Sequence, residues 1–375
     1  MSSTIGCITH IAELGNESAI ELVSQFISTY YNPVHNWLSV VLAVISLLCN
    51  VCTVLILSRP TLRSTVNALL IAMAMCNSVV LIFNITFVVV QKAIVEPLRC
   101  APDQQPSLFW ACFVLIYAQI TVIAHTSALW ISVCMACVRA WFVRSKSIVA
   151  ANVNQCTVCC VVACVLTGVT LLNIPHMLMY GITTRNASDI TPVDCRPRHD
   201  ATRDDQPIYL VYTSSTNCVL SVSAFWLNGV AFKIVPCQAL TVLIALLVNT
   251  LRKAQAHRQY IQVNRHETLF ANGNASTGRC RTSSFDLPTK LLIIILSIFL
   301  VTELPQGVMA VLSGLYQGFH VRVYQNLFDF LNFLATLNTS STFVIYCAMN
   351  GAFRRELAKV LPGLKLVTNM CRQNG

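Results

Sequence analysis

The chain has 375 residues, 55% of them apolar and only 11% charged, with a formal net charge of +10. Soluble domains carry about 25% charged residues, so the composition argues against a water-soluble globular enzyme. It argues equally against a disordered chain, which needs low hydrophobicity and high charge.

Met1–Asn36 is polar and lacks the basic start and short apolar core of a cleavable signal peptide. It is expected to be an extracellular N-terminal segment, with a glycosylation sequon at Asn16. A helix needs about 20 apolar residues to cross the hydrocarbon core. Seven stretches meet that length, at Trp37–Leu57, Val66–Val90, Leu108–Val138, Gln155–Met177, Thr216–Leu251, Leu287–Gly314 and Tyr324–Ala348. The expected fold class is therefore an all-α membrane protein, a bundle of seven transmembrane helices over residues 37–348. Residues 349–375 follow as a cytoplasmic amphipathic helix and tail. No internal repeat of the kind used by secondary transporters is visible.

Charge orients the bundle. With the N-terminus outside, seventeen of the 25 Lys and Arg residues fall on the inner side, counting Lys290 at the margin of the sixth span. Seven fall outside and one, Lys233, within a span. Ten acids lie outside, three inside and two in spans. This is the positive-inside pattern, N-terminus out and C-terminus in. The +10 is then a cytoplasmic surface facing anionic lipid and a protein partner, and no nucleic acid is needed to explain it. Asn186 falls in an outer loop and is a second glycosylation candidate.

Most of the 18 cysteines lie in apolar blocks, as do Cys156, Cys159, Cys160 and Cys164, where cysteine behaves as a small hydrophobe. Cys156-x-x-Cys159 has no second ligand pair nearby, so a metal is not expected. There is no nucleophile–base pair or phosphate loop with sensible spacing. Neither an enzymatic activity nor a cofactor is expected.

Landmarks recur in order along the spans: Asn50 in the first, Asn67, Leu70 and Asn77 in the second, and Trp130 through Arg139 in the third. Pro236, Pro305 and Tyr346 follow in the fifth, sixth and seventh, with Phe353 seven residues after Tyr346. In this pattern the chain resembles the rhodopsin-like G-protein-coupled receptors over nearly its whole length. It departs from them at Val138 and Ala140 beside the inner arginine, at Asn77 and at Glu303. The seventh-span motif reads Thr342 through Tyr346. The generic sodium site, arginine lock and tryptophan switch are thus altered.

A narrower resemblance lies in Phe225-Trp226-x-x-Gly229 through Lys233, Pro236 and Cys237, and in Phe299 through Glu303, Pro305, Gln306 and Gly307. Val323 through Asp329 and Tyr346 through Met349 complete it. Together these are similar to invertebrate receptors for myosuppressin and FMRFamide-like peptides, and they shade into the nematode Srw-type group. The resemblance implies a plasma-membrane receptor for an extracellular, C-terminally amidated Arg-Phe-type peptide, signalling through a heterotrimeric G protein. A chemosensory receptor for an environmental small molecule is the alternative within the fold, and a transporter is the alternative of another class. The position of the monoamine-binding Asp is Thr121 and that of the retinal-binding Lys is Thr336, so neither of those ligand chemistries is available.

The charged side chains well inside spans are Lys233, Glu303 and Asp329. An unpaired charge there costs at least about 2.5–3.5 kcal/mol, so each should face the bundle interior or water. At about 1.5 Å per residue, Glu303, Lys233 and His125 stand about 24, 27 and 21 Å above the inner ends of their helices. A buried polar cluster of these three is expected, either as a switch with two arrangements or as a static ion pair. Asp329 lies about 8 Å below the outer end of its span. There it can pair with a ligand guanidinium, or it can be a helix-start acid favoured by the dipole. Thr121 and Gln306 complete the candidate ligand set.

Arg139, Tyr346, Arg252 and Lys253 are the expected G-protein side. Receptors of this fold tie the second outer loop to the top of the third span. By that resemblance Cys195 pairs with Cys100, or alternatively with Cys112, which is two residues out of the usual register. The loop Tyr180–Ser215 is expected to form a hairpin lid. Phe353–Leu357 looks amphipathic, and Cys371, near basic residues, is a palmitoylation candidate.

Overall fold

A computed structural model of the chain describes residues 12–13, 19–92, 107–145, 155–186, 207–213, 218–271, 286–317 and 319–360. Its first four long helices are Asn32–Leu57, Thr65–Val90, Leu108–Ser145 and Gln155–Leu172. The fifth starts as Cys218–Trp226, widens into a π-helical stretch at Leu227–Ile234, and continues as Val235–Ala271. The sixth is Asp286–Leu315. The seventh, Gln325–Met349, is entered through a π-helical turn at His320–Tyr324. Among the described residues, six helices are long and apolar enough to cross a membrane by length and composition. The seventh has the length but carries Asn, Thr and Ser along much of it.

Local chemistry explains where these helices begin and end. Ser64 caps the second, its hydroxyl accepting from the Asn67 N–H at 3.2 Å. The fourth stops at Leu172, short of the expected Met177, and a five-residue helix Ile174–Leu178 follows. Pro175 in that turn has no N–H to continue the ladder. The fifth runs to Ala271, well past the expected Leu251, because its polar extension remains helical outside the apolar block. Asn350 turns the backbone at the end of the seventh and caps the terminal helix Gly351–Val360, accepting from the N–H groups of Ala352 and Phe353. Arg354 then reaches back to donate to the carbonyls of Cys347 and Ala348, covering orphan acceptors of the seventh helix.

The third helix packs against the second, fourth and fifth, and the seventh against the first and sixth. The main core lies toward the Arg139 end, around Leu70, Leu129, Met135, Leu240, Leu296 and Phe353. A smaller core at the opposite end joins Phe319, Val323, Leu327 and Leu331 to Ile27.

Two elements stand at that opposite end. Tyr180–Asn186 and Pro207–Thr213 form an antiparallel hairpin with Tyr180 opposite Thr213, lying against the third helix. A helix over Ala19–Tyr30, within the segment read from sequence as merely polar, packs on the seventh helix and its π-helical entry. Its buried Ser24 donates to the Glu21 and Arg322 carbonyls. Leu22, Val23, Phe26 and Tyr30 face outward, in line with exposed Val34, Trp37 and Val41 of the first spanning helix.

Candidate functional site

Two prolines shape the contact between the fifth and sixth helices. Pro236 cannot donate, and just before it the fifth helix opens into i→i+5 bonding, with the Val235 N–H reaching the Val230 carbonyl. Pro305 interrupts the ladder of the sixth helix from inside. Where the two helices meet, the sixth presents Gly307. A Cβ there would lie 3.1 Å from Lys233 Cβ and 3.0 Å from Ile234 Cδ1. A Cβ at Gly314 would come within 2.7 Å of the Phe225 ring. These missing side chains let the backbones approach, as small residues do between membrane helices.

The close approach assembles the cluster. Lys233 Nζ lies 2.8 Å from Glu303 Oε2, 2.7 Å from Gln306 Oε1 and 2.9 Å from His125 Nε2. His125 Nε2 is also 3.0 Å from Glu303 Oε2. Glu303 is fully buried, whereas the Lys233 and His125 side chains keep 18% and 22% exposure. A buried pair of opposite charges is satisfied by such contacts and is costly if one partner is lost. His125 Nε2 either accepts from Lys233 or donates to Glu303 and cannot do both at once. The cluster therefore has two mutually exclusive hydrogen-bond patterns. Thr121, one turn before His125, spends its hydroxyl on the Tyr117 carbonyl at 2.7 Å.

Asp329 stands apart from the cluster. Its carboxylate faces the first helix, 3.9 Å from His35 Nε2, while His35 Nδ1 and the Tyr31 phenol share a 2.8 Å hydrogen bond. Tyr31 sits edge-on to Phe330 and Phe333. Burial, with the Asp329 carboxylate beside it, holds the Tyr31 phenol well above its usual range. Asp329 is outside the first turn, because the helix is already under way at His320. The helix-start reading of this acid is thereby corrected.

At the other end Arg139 is half-buried within electrostatic reach of Tyr346. The Tyr346 hydroxyl donates to Asn67 Oδ1 at 3.3 Å, and its ring lies 5.4 Å from that of Phe353. Arg252 and Lys253 are exposed along the fifth helix. Arg63 donates to Gln155 beside a cavity of about 160 Å³ lined also by Leu57 and Ile71.

Cys112, the alternative partner of Cys195, carries a free thiol. Cys100, Cys195, Asn16 and Cys371 lie outside the described residues, as does the Asn186 side chain. Sequence reasoning passed over Tyr31 and His35, whose i, i+4 spacing was the available signal. It also passed over a buried polar group in which Gln119 Oε1 accepts from Asn173 Nδ2 and meets His176 Nδ1, each at 3.1 Å.

The profile of the family described as "Serpentine type 7TM GPCR chemoreceptor Srw" matches residues 26–362. Among curated proteins the chain is similar to "G-protein coupled receptor dmsr-1" of Caenorhabditis elegans. The two are 31% identical over 385 aligned positions, covering 96% of this chain and 74% of that protein.

Proposed function

The chain belongs to the Srw-type family of seven-transmembrane G-protein-coupled receptors, and from that premise we propose that its ligand is a C-terminally amidated, FMRFamide-like or myosuppressin-like peptide. Membership makes it a multi-pass plasma-membrane receptor, not an enzyme, with an extracellular ligand and an intracellular heterotrimeric G protein as partners. The ligand class is the further step. Its main support is that the fifth- and sixth-helix motifs carrying the peptide-receptor resemblance are the ones that meet in space, through Lys233, Glu303, Gln306 and Gly307.

In this reading the N-terminus is outside and the hairpin end receives the peptide. Asp329 pairs with the ligand guanidinium in place of its long contact to His35. Ligand contact shifts the His125–Lys233–Glu303 cluster between its two patterns, and the fifth and sixth helices move with it. Arg139, Tyr346, Arg252 and Lys253 face the G protein. Cys100 and Cys195 tie the outer loops, Asn16 and Asn186 carry glycans, and Cys371 carries a palmitoyl chain.

The matching family's description as chemoreceptors favours a second reading, a receptor for an environmental small molecule. Calcium release in cells expressing the chain with a promiscuous G protein separates the two. Responses at nanomolar amidated Arg-Phe peptide are expected. Silence to every peptide at confirmed surface expression would transfer the case to small molecules.

A further inference from the structure

Two polar atoms of the cluster are left over. Glu303 Oε2 takes the contacts to Lys233 and His125, whereas Oε1 is buried with no hydrogen-bond partner among the described residues. Gln306 accepts from Lys233 at 2.7 Å. An ammonium only donates, so that end of the side chain is the carbonyl and the other is the NH₂. This Nε2 is also buried without a partner among the described residues. Glu303 and Gln306 are three residues apart, so they share one face of one helical turn. The turn therefore holds an unused acceptor and an unused donor, behind the partly exposed Lys233 and His125.

We infer that this pair is the subsite for the ligand's terminal carboxamide, the carboxamide N–H donating to Glu303 Oε1 and its carbonyl accepting from Gln306 Nε2. The inference rests on the peptide reading above. One planar group answers both atoms, since a primary carboxamide carries a donor and an acceptor side by side. A free carboxylate has acceptors only, and it would set a second negative charge against Glu303. The Lys233 charge does not rescue it, because Glu303 already matches that charge at 2.8 Å. Glu303 is closed to solvent, so the carboxamide enters by parting Lys233 and His125. Amide recognition and the exchange of hydrogen-bond patterns are then one event.

The test compares amidated Arg-Phe peptides with their free acids on the full-length receptor, at matched surface expression. A site built to hydrogen-bond an N–H rejects analogues that lack it, and the wild type should prefer the amide by about 100-fold, the order expected for a hydrogen bond to a charged group. Glu303→Gln removes the charge that turns the free acid away, and it should cut the preference to about tenfold or less at confirmed surface expression. Gln306→Met removes a donor that the carbonyl of either form can use, and it should lower the potency of amide and acid together. A preference that stays near 100-fold in surface-expressed Glu303→Gln, or an unchanged potency of both forms in surface-expressed Gln306→Met, overturns the assignment while leaving the peptide reading intact. If the wild type answers no peptide, the peptide reading fails and the subsite falls with it.

Discussion

The Lys233 ammonium on the fifth helix lies 2.8 Å from Glu303 Oε2 on the sixth, a distance made possible by the bare face at Gly307. The pair sits beside two proline-perturbed helical turns, at each of which the proline lacks the N–H that would continue the ladder. A change in how the two charges are satisfied is thus placed where the helices can respond to it.

Removing one charge should expose this coupling. Glu303→Gln leaves the Lys233 ammonium without its counter-ion, and breaking one side of a buried pair costs about 3–5 kcal/mol. The detergent-solubilised variant should melt at a clearly lower temperature, and its ligand-free signalling should change. Lys233→Met combined with Glu303→Leu should recover most of the melting temperature. Unchanged melting and an unchanged dose–response in Glu303→Gln would mean that the pair is inert.

Filling the gap at Gly307 should act through distance instead of charge. Gly307→Val pushes on Lys233 and Ile234, and overpacking of this kind costs about 1–3 kcal/mol. Thermal unfolding of the purified variant should show the loss, with Gly168→Val as the control, since beyond its own helical backbone a Cβ there meets nothing within 4 Å. Equal melting of the two variants would contradict the close-contact account.

Asp329 can be tested by charge reversal. Asp329→Lys should abolish the response to an arginine-containing peptide, while a peptide with citrulline in place of arginine should be weak on the wild type and lose little more on the variant. A normal dose–response of Asp329→Lys to the arginine peptide would remove this residue from the ligand contacts.

Phe353 is fully buried, 5.4 Å from the Tyr346 ring and 5.9 Å from that of Phe343. Phe353→Ala should cost about 3–5 kcal/mol. Because the ring fastens the terminal helix, faster hydrogen exchange over Gly351–Val360 is the expected signature. Exchange unchanged in that segment would argue that Asn350 and Arg354 hold it alone.

The bundle is readable from the chain because crossing hydrocarbon demands length and apolarity, and because His125, Lys233 and Glu303 are conspicuous in such surroundings. Their similar depth follows from rise per residue alone, and the structure does bring them together. Other features escape a one-dimensional reading. The π-helical stretch before Pro236 is a change in hydrogen-bond register, which hydrophobic periodicity does not report. Gln306 is neutral, so its role as a Lys233 acceptor carries no charge signal. Asp329 has a height on its helix but no readable direction, and its turn toward His35 depends on the packing of the first helix. The Ala19–Tyr30 helix is short, and its anchor is a serine, Ser24, where an apolar residue would be sought.

The polarity of the seventh helix bears on how the molecule is made. Asn50 donates to the Thr339 carbonyl and Ser46 to that of Thr336, so the first helix serves the last one's backbone across nearly 290 residues of sequence. A segment bearing Asn332, Asn338, Ser340 and Thr342 partitions weakly into lipid by itself. Its integration is therefore expected to lean on the earlier helices, which supply hydrogen-bond partners for its backbone. Damage to the first helix should be felt first as a failure of the nascent C-terminal segment to stay in the bilayer.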